Sequence, residues 1–164
     1  MSLQTPIFSV VIPCYNYGHC VGRAIESALN QSLNCEFDIT VIDDGSSDNS
    51  AQAVARYIES CPEQVRYIHQ KNGGPAAARN QGIDSTRGRY LIFLDADDEL
   101  TIDAFKIFSQ SIDSSPQAAL IIGGHHSQHD NGKRKYHNPG KLPDDRVAAF
   151  HRYLQNKLGM ANGA

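Results

Sequence analysis

At 164 residues the chain is long enough for one domain with a sizeable core and too short for two of ordinary size. Its apolar content of 40%, charged content of 20% and net charge of -3 describe an ordinary globular domain. There is no basic stripe to argue for nucleic acid, and no run approaches the roughly 20 apolar residues that span a bilayer. The four cysteines, at 14, 20, 35 and 61, form no C-x-x-C pair, and no secretory leader opens the chain. Reduced thiols and a cytoplasmic location are therefore expected, with peripheral attachment at the inner face of a membrane as the membrane-linked variant.

The first element is the apolar, β-branched run "FSVVIPCY", cut by Pro13. Val21, Ala24, Ile25, Ala28 and Leu29 then recur at helical spacing. "FDITVIDDG" reads as a second strand that stops at Gly45. Ser47 or Asp48 follows as the cap of a helix whose apolar face is Ala51, Val54, Ala55 and Ile58. "VRYIHQ" is a third strand. "NGGP" is a turn, with Pro75 suited to the first position of the helix through "AAARNQGIDS". "RYLIFLD" is the fourth and most hydrophobic strand. Thr101 is placed to cap a helix carrying Ile102, Phe105, Phe108 and Ile112, and "AALIIGG" reads as a fifth strand. Residues 125–143 read as hairpin or loop, with "GKRKYH" as a solvated tip, and Asp144 to Leu158 as a last helix.

Strands alternating with helices predict βαβ units and a parallel sheet covered on both faces, an α/β Rossmann-like architecture. Ligands bind such sheets outside the carboxyl ends of the strands. Here the first strand ends in "PCYN", the second in "DDGSSD" and the fourth in "DADD", so three polar clusters are expected on one edge. Helix capping accounts for Asp48 but not for Asp95, Asp97 and Asp98 together. Two carboxylates about 5 Å apart repel by roughly 3 kcal/mol at an effective dielectric near 20. A domain stable by about 5 to 15 kcal/mol is expected to compensate such a group, and a divalent cation would do so. On an extended chain Asp95 and Asp97 would face the same way, roughly 6 to 7 Å apart, and bracket one ligand. Hard oxygen ligands of this kind suit Mg²⁺ or Mn²⁺, with substrate phosphates completing the shell. The P-loop and dinucleotide fingerprints are both missing. The "NGGPAAARN" segment instead offers Gly74, a helix N-terminus and Arg79 for a diphosphate. An ordinary surface arginine is the alternative for Arg79.

"VVIPCYNYG", "VIDDGSSDNS", "NGGPAAARNQGI" and "GRYLIFLDADD" together resemble the nucleotide-binding half of the inverting family 2 glycosyltransferases, over about residues 7–100. The resemblance implies the GT-A, nucleotide-diphospho-sugar transferase fold. It also implies transfer of a sugar from a nucleotide diphosphate, commonly a UDP-sugar, to a hydroxyl of a saccharide or lipid-linked acceptor, with inversion. Asp95-Ala96-Asp97 would be the D-x-D motif, with Asp97 or Asp98 on Mn²⁺ or Mg²⁺ and the neighbouring carboxylate near the ribose. Asp44 would contact the base, Pro13, Tyr15 and Asn16 would line its subsite, Asp43 would stand behind them, and Arg79 would lie near the diphosphate. The products by this resemblance are cell-surface polysaccharides.

An inverting transfer also needs a general base. The family supplies it downstream on the acceptor side, so the base is expected beyond Ala164, with residues 1–124 as donor-binding core and 125–164 as the start of a truncated acceptor region. Asp144-Asp145 as the base is disfavoured, since these residues read as a helix N-terminus. Of His125, His126 and His129, the first and last would share a face for Zn²⁺ only if helical, and the flanking glycines favour a loop. Cys14 reads as a small buried residue rather than a nucleophile. A non-catalytic nucleotide-sugar-binding module is the rival outside enzymology. An enzyme that makes nucleotide sugars is the rival within it, disfavoured because "PCYNYGHC" carries no basic residue.

Overall fold

The computed structural model describes residues 7–118, 120–121, 123–128 and 134–137. They fall into two compact units parted between Ile107 and Phe108. In the first, β1 (Phe8–Cys14), α1 (Val21–Leu29), β2 (Phe37–Asp43), α2 (Ser50–Ser60), β3 (Val65–His69), α3 (Pro75–Ser85) and β4 (Tyr90–Phe93) alternate as the apolar runs predict, and α4 (Ala104–Ser114) crosses the boundary. All four strands pair in parallel, in the order β3-β2-β1-β4. The chain reverses its direction of travel across the sheet between β1 and β4, which makes that gap the topological switch point. Cys14 lies level with Asp43, and Asp43 with His69, so the exits of β1, β2 and β3 form one rim.

The sheet is covered on both faces. Val11, Ile42 and Ala78 form a buried cluster with Ile68 and Leu91 against it, which seats α3 on one face. Strand alternation puts Phe8 on the other face, where its ring meets Phe105 at 4.9 Å and Phe37 meets the same ring edge-on at 5.2 Å. The expected stripe of α1 is buried at Val21, Ala24, Ile25 and Ala28.

Five expectations are corrected. The buried face of α2 is Ser50, Val54 and Tyr57, with Ala51 exposed, because Tyr57 turns inward to donate from its hydroxyl to Glu26 Oε1 at 2.6 Å. The fourth strand is not buried on both faces: β4 is an edge strand among the described residues, its first three residues are half-buried, and Phe93 is 44% exposed. The last helix of the first unit begins at Ala104 rather than at Ile102, which is 64% exposed. Nor does a strand form at the described residues of Ala118 to Gly124; Ala119 and Ile122 lie outside them. Two glycines there weaken extended pairing. The second unit holds instead an antiparallel hairpin of β5 (His125–Gln128) and β6 (Arg134–His137), in keeping with a hairpin reading of this segment. The expectation of a tip at "GKRKYH" is corrected, since Arg134 to His137 form the second strand, and 129–133 and 138–143 lie outside the described residues. The predicted helix over 144–158, with Asp144 and Asp145, lies outside the described residues, as does His129.

Candidate functional site

Three loops meet on the rim. The chain leaves β1 through Tyr15, which is 49% exposed, and Asn16, whose φ of 59° lies in the left-handed region that Asn tolerates better than most residues. That conformation aims Asn16 at the loop after β2. Its N–H donates to Ser46 Oγ at 2.9 Å, and its Oδ1 accepts from Ser47 N at 2.8 Å. Asp48 adds a second stitch, accepting from Gly18 N and Ser50 N at 2.9 Å each. The helix cap is Asn49 rather than the expected Ser47 or Asp48, and Asn49 makes no side-chain cap; Asp48, one residue earlier, accepts instead from the first helical N–H, that of Ser50. A Cβ on Gly18 would stand 2.7 Å from Ser50 N, so the two loops approach this closely only because residue 18 is glycine.

Asp44 organises the third loop. It is 3% exposed, and its Oδ1 accepts from Gln70 Nε2 at 2.7 Å and Gly73 N at 2.8 Å, while Oδ2 accepts from Gly74 N at 2.7 Å. Gly74, at φ 85°, then turns the chain into α3 with Pro75 at its start. Asp43, 2% exposed, points the other way. It accepts from Ser46 N at 2.9 Å and from the Tyr67 hydroxyl, with His69 Nδ1 at 3.1 Å. Burial and this bond push the Tyr67 hydroxyl far up.

Burial alone would raise the pKa of Asp43, Asp44 and Asp48. The hydrogen bonds they accept outweigh it and hold all three below the ordinary 3.8. A carboxylate with a depressed folded pKa contributes stability above its unfolded value and loses it as pH falls through the folded value. The domain is therefore expected to keep its full urea resistance down to about pH 5 and to lose it steeply below pH 3.8. A midpoint that held constant from pH 5 to pH 2 would contradict this.

The "DADD" segment is not extended. Asp98 N donates to Asp95 O at 3.0 Å, which closes a turn that tucks in Ala96, 3% exposed, and turns Asp97 and Asp98 to the surface. The expectation that Asp95 and Asp97 face the same way along a strand is corrected accordingly. So is the view that a cation must relieve the whole trio: Arg79 NH2 lies 2.7 Å from Asp95 Oδ1, and this pair, each side chain about one-third exposed, compensates that carboxylate within the protein. Asp97 is the largest cause raising the Tyr17 hydroxyl, with Asp95 a smaller one, so the exits of β1 and β4 are within electrostatic reach of each other.

Among the described residues no three His, Cys, Asp or Glu side chains are grouped to hold a metal. Two outward carboxylates still fit Mg²⁺ or Mn²⁺, which take one or two protein carboxylates and leave the remaining positions to phosphate and water. His125 sits on a strand, stacked on His137 at 4.6 Å, rather than on a helix face with His129. Cys14 is 2% exposed with its thiol pushed up by burial, which fits a packed residue and not a nucleophile. Sequence reasoning missed Tyr17, Tyr67 and Gln70 as rim residues. Their only signal was position within two or three residues of a strand exit.

A four-stranded parallel sheet with acids along the exits of its strands and a glycine-turned helix N-terminus after β3 defines a Rossmann-like α/β architecture. The sequence model described as Glycosyl transferase family 2 matches residues 9–162, and the chain belongs to that family. It is 42% identical over 100 residues to the Escherichia coli K12 glycosyltransferase YibD, covering 61% of this chain and 28% of that protein. It is 31% identical over 137 residues to the Bacillus subtilis minor teichoic acid biosynthesis protein GgaA, covering 80% and 31%. Residues 1–349 of S. aureus TarS, crystallised with UDP-GlcNAc, superpose with a TM-score of 0.59 at 29% identity, over 65% of this chain and 31% of that one. The chain thus spans about a third or less of the length of these relatives. No helix among the described residues is long and apolar enough to cross a membrane.

Proposed function

We propose that this chain is the donor-binding part of a metal-dependent glycosyltransferase that takes a UDP-sugar and transfers the sugar, with inversion, to a hydroxyl of a saccharide or lipid-linked acceptor. The observation that carries the reading is the turn at Asp95–Asp98, which presents Asp97 and Asp98 outward at the switch point, beside the loops held by Asp44 and Asn16. TarS bound to UDP-GlcNAc supports a uridine donor, and GgaA, of teichoic acid biosynthesis, supports a cell-surface polymer as the destination.

In this reading Tyr15 and Pro13 line the base subsite. Asp44, whose Oδ2 receives a single hydrogen bond among the described residues, offers that oxygen to a base N–H. Gly74 lends backbone to the diphosphate, and Arg79 exchanges Asp95 for it. Mn²⁺ or Mg²⁺ held by Asp97 and Asp98 would offset charge on the departing diphosphate. The acceptor's general base is proposed to lie in the part of the relatives' length that this chain does not span, on a protein that works in the cytoplasm at the membrane's inner face.

Asp97→Asn should leave the thermal midpoint within about 2 °C, since the side chain is exposed, and weaken UDP binding in Mn²⁺ about tenfold by titration calorimetry. Equal affinity for the variant and the parent in Mn²⁺ would falsify the carboxylate assignment.

A further inference from the structure

The carboxylate turn is fixed at both ends, and the downstream anchor comes from a helix that carries none of the proposed ligand-binding residues. Upstream, Leu94 N donates to Val11 O at 3.0 Å and Asp95 is held by Arg79. Downstream, Leu100 N donates to Ser27 Oγ at 3.0 Å, and Ser27, within α1, also donates to Ala24 O at 2.8 Å. Gln31 lies just past the end of the same helix. Its Nε2 donates to Thr101 O at 2.9 Å and to Ser27 O at 2.8 Å, and its Oε1 accepts from Phe105 N at 2.9 Å. One amide thus satisfies a carbonyl left over at the end of α1 and an N–H left over at the start of α4, groups that helix ends cannot pair internally. Ser32 N adds a bond to Ile102 O at 2.8 Å.

Asp95 to Glu99 therefore bridge two fixed banks, with an exposed ion pair of 3.6 Å between Glu99 and Arg23 of α1 as a weaker tie along the span. We propose that Gln31 and Ser27 are positioning residues for the metal-holding carboxylates: by pinning Leu100 and Thr101 to α1 they fix where Asp97 and Asp98 stand. The proposal rests on the reading of those two acids given above. Divalent cations with near-octahedral demands are bound well only by carboxylates already in place. A bridge released at one bank keeps its charge but spreads its carboxylates over many arrangements, each less suited to one ion. The base subsite would not feel this, because Asp44, Asn16 and Gly74 hang from β2, β1 and α3 through bonds of their own.

The test is the gain in UDP affinity on replacing EDTA with Mn²⁺, measured by calorimetry on the 164-residue chain. Gln31→Ala is expected to cut that gain about fivefold, the weight of a lost hydrogen bond, while affinity in EDTA stays unchanged. Ser27→Ala should act in the same direction and serves if Gln31→Ala does not fold. Ser27→Thr, which keeps the hydroxyl, should restore the gain. A residue that merely stabilised the fold would lower the melting temperature and weaken both affinities together; that result, or an unaltered gain in both alanine variants, overturns the proposal. Failure of Ser27→Thr to recover what Ser27→Ala loses overturns it as well. A parent chain with no Mn²⁺ gain would sink the carboxylate reading itself and the positioning role with it. A parental gain abolished by Asp97→Asn and untouched by Gln31→Ala would sink the positioning role alone.

Discussion

Asp44→Asn is expected to destabilise the domain by about 3 kcal/mol at pH 7, despite nearly unchanged volume. The native carboxylate is 3% exposed and accepts from three donors, Gln70 Nε2, Gly73 N and Gly74 N. An asparagine supplies one oxygen in place of two and sets an NH₂ against an N–H. Whichever way the amide flips, two donors face each other in a buried place, and each then bears its desolvation cost. Gly74 adds to the damage, because its φ of 85° is held by a turn that this carboxylate closes. The pH dependence separates the effect from loss of packing. The depressed pKa of Asp44 contributes stability only above its unfolded value, so the gap between parent and variant should be widest near pH 7 and shrink as pH falls below 3.8. Urea unfolding at several pH values measures it. A gap under about 1 kcal/mol at pH 7, or one that widens with acid, is incompatible with this account.

The order of strands and helices from Phe8 to Phe93 was legible because parallel strands and amphipathic helices leave strong, different periodicities. So was the turn into α3, where Gly74 permits the positive φ and Pro75 fixes the φ of the first helical residue. The position of β4 in the sheet was not legible. An apolar run states that burial is sought, not whether a neighbour stands on both sides, and Phe93 ends up 44% exposed. The carboxylate cluster was found from composition, but its geometry was misjudged. Alternation assumes extended chain, whereas Ala96 buries itself and the acids follow a turn. The partner of Asp95 was missed for a related reason. Arg79 is sixteen residues away on another element, and no periodicity reports a meeting made by the packing of α3 on β1. Gln31 shows the limit most sharply. In the sequence it is one more polar residue after a helix; its meaning comes from Thr101 and Phe105, seventy and seventy-four residues further on.

Gly82→Val should cost about 3 kcal/mol and loosen the rim from a distance. A Cβ at this position of α3 would lie 2.3 Å from Val11 Cγ1, 3.0 Å from Cγ2 and 3.2 Å from Cβ. Val11 has no exposed surface, and β1 is paired on both sides, with Val11 level with Thr40 of β2 and Phe93 of β4. Neither the side chain nor the strand has room to retreat, so the helix must lift. Helix propensity does not offset this, since valine improves on glycine by only a few tenths of a kcal/mol. Alanine brings the Cβ alone and gains about 1 kcal/mol in propensity, so Gly82→Ala should be milder, about 1 to 2 kcal/mol. Lifting α3 also carries Arg79, one turn earlier, away from Asp95, which lies 2.7 Å from it in the parent. The double variant Val11→Ala, Gly82→Val makes space for the new methyls and should be at least about 1 kcal/mol more stable than the two single costs predict. Strict additivity of the two substitutions in urea unfolding would mean that the helix and strand do not meet at Gly82, and the seating of Arg79 would need another explanation.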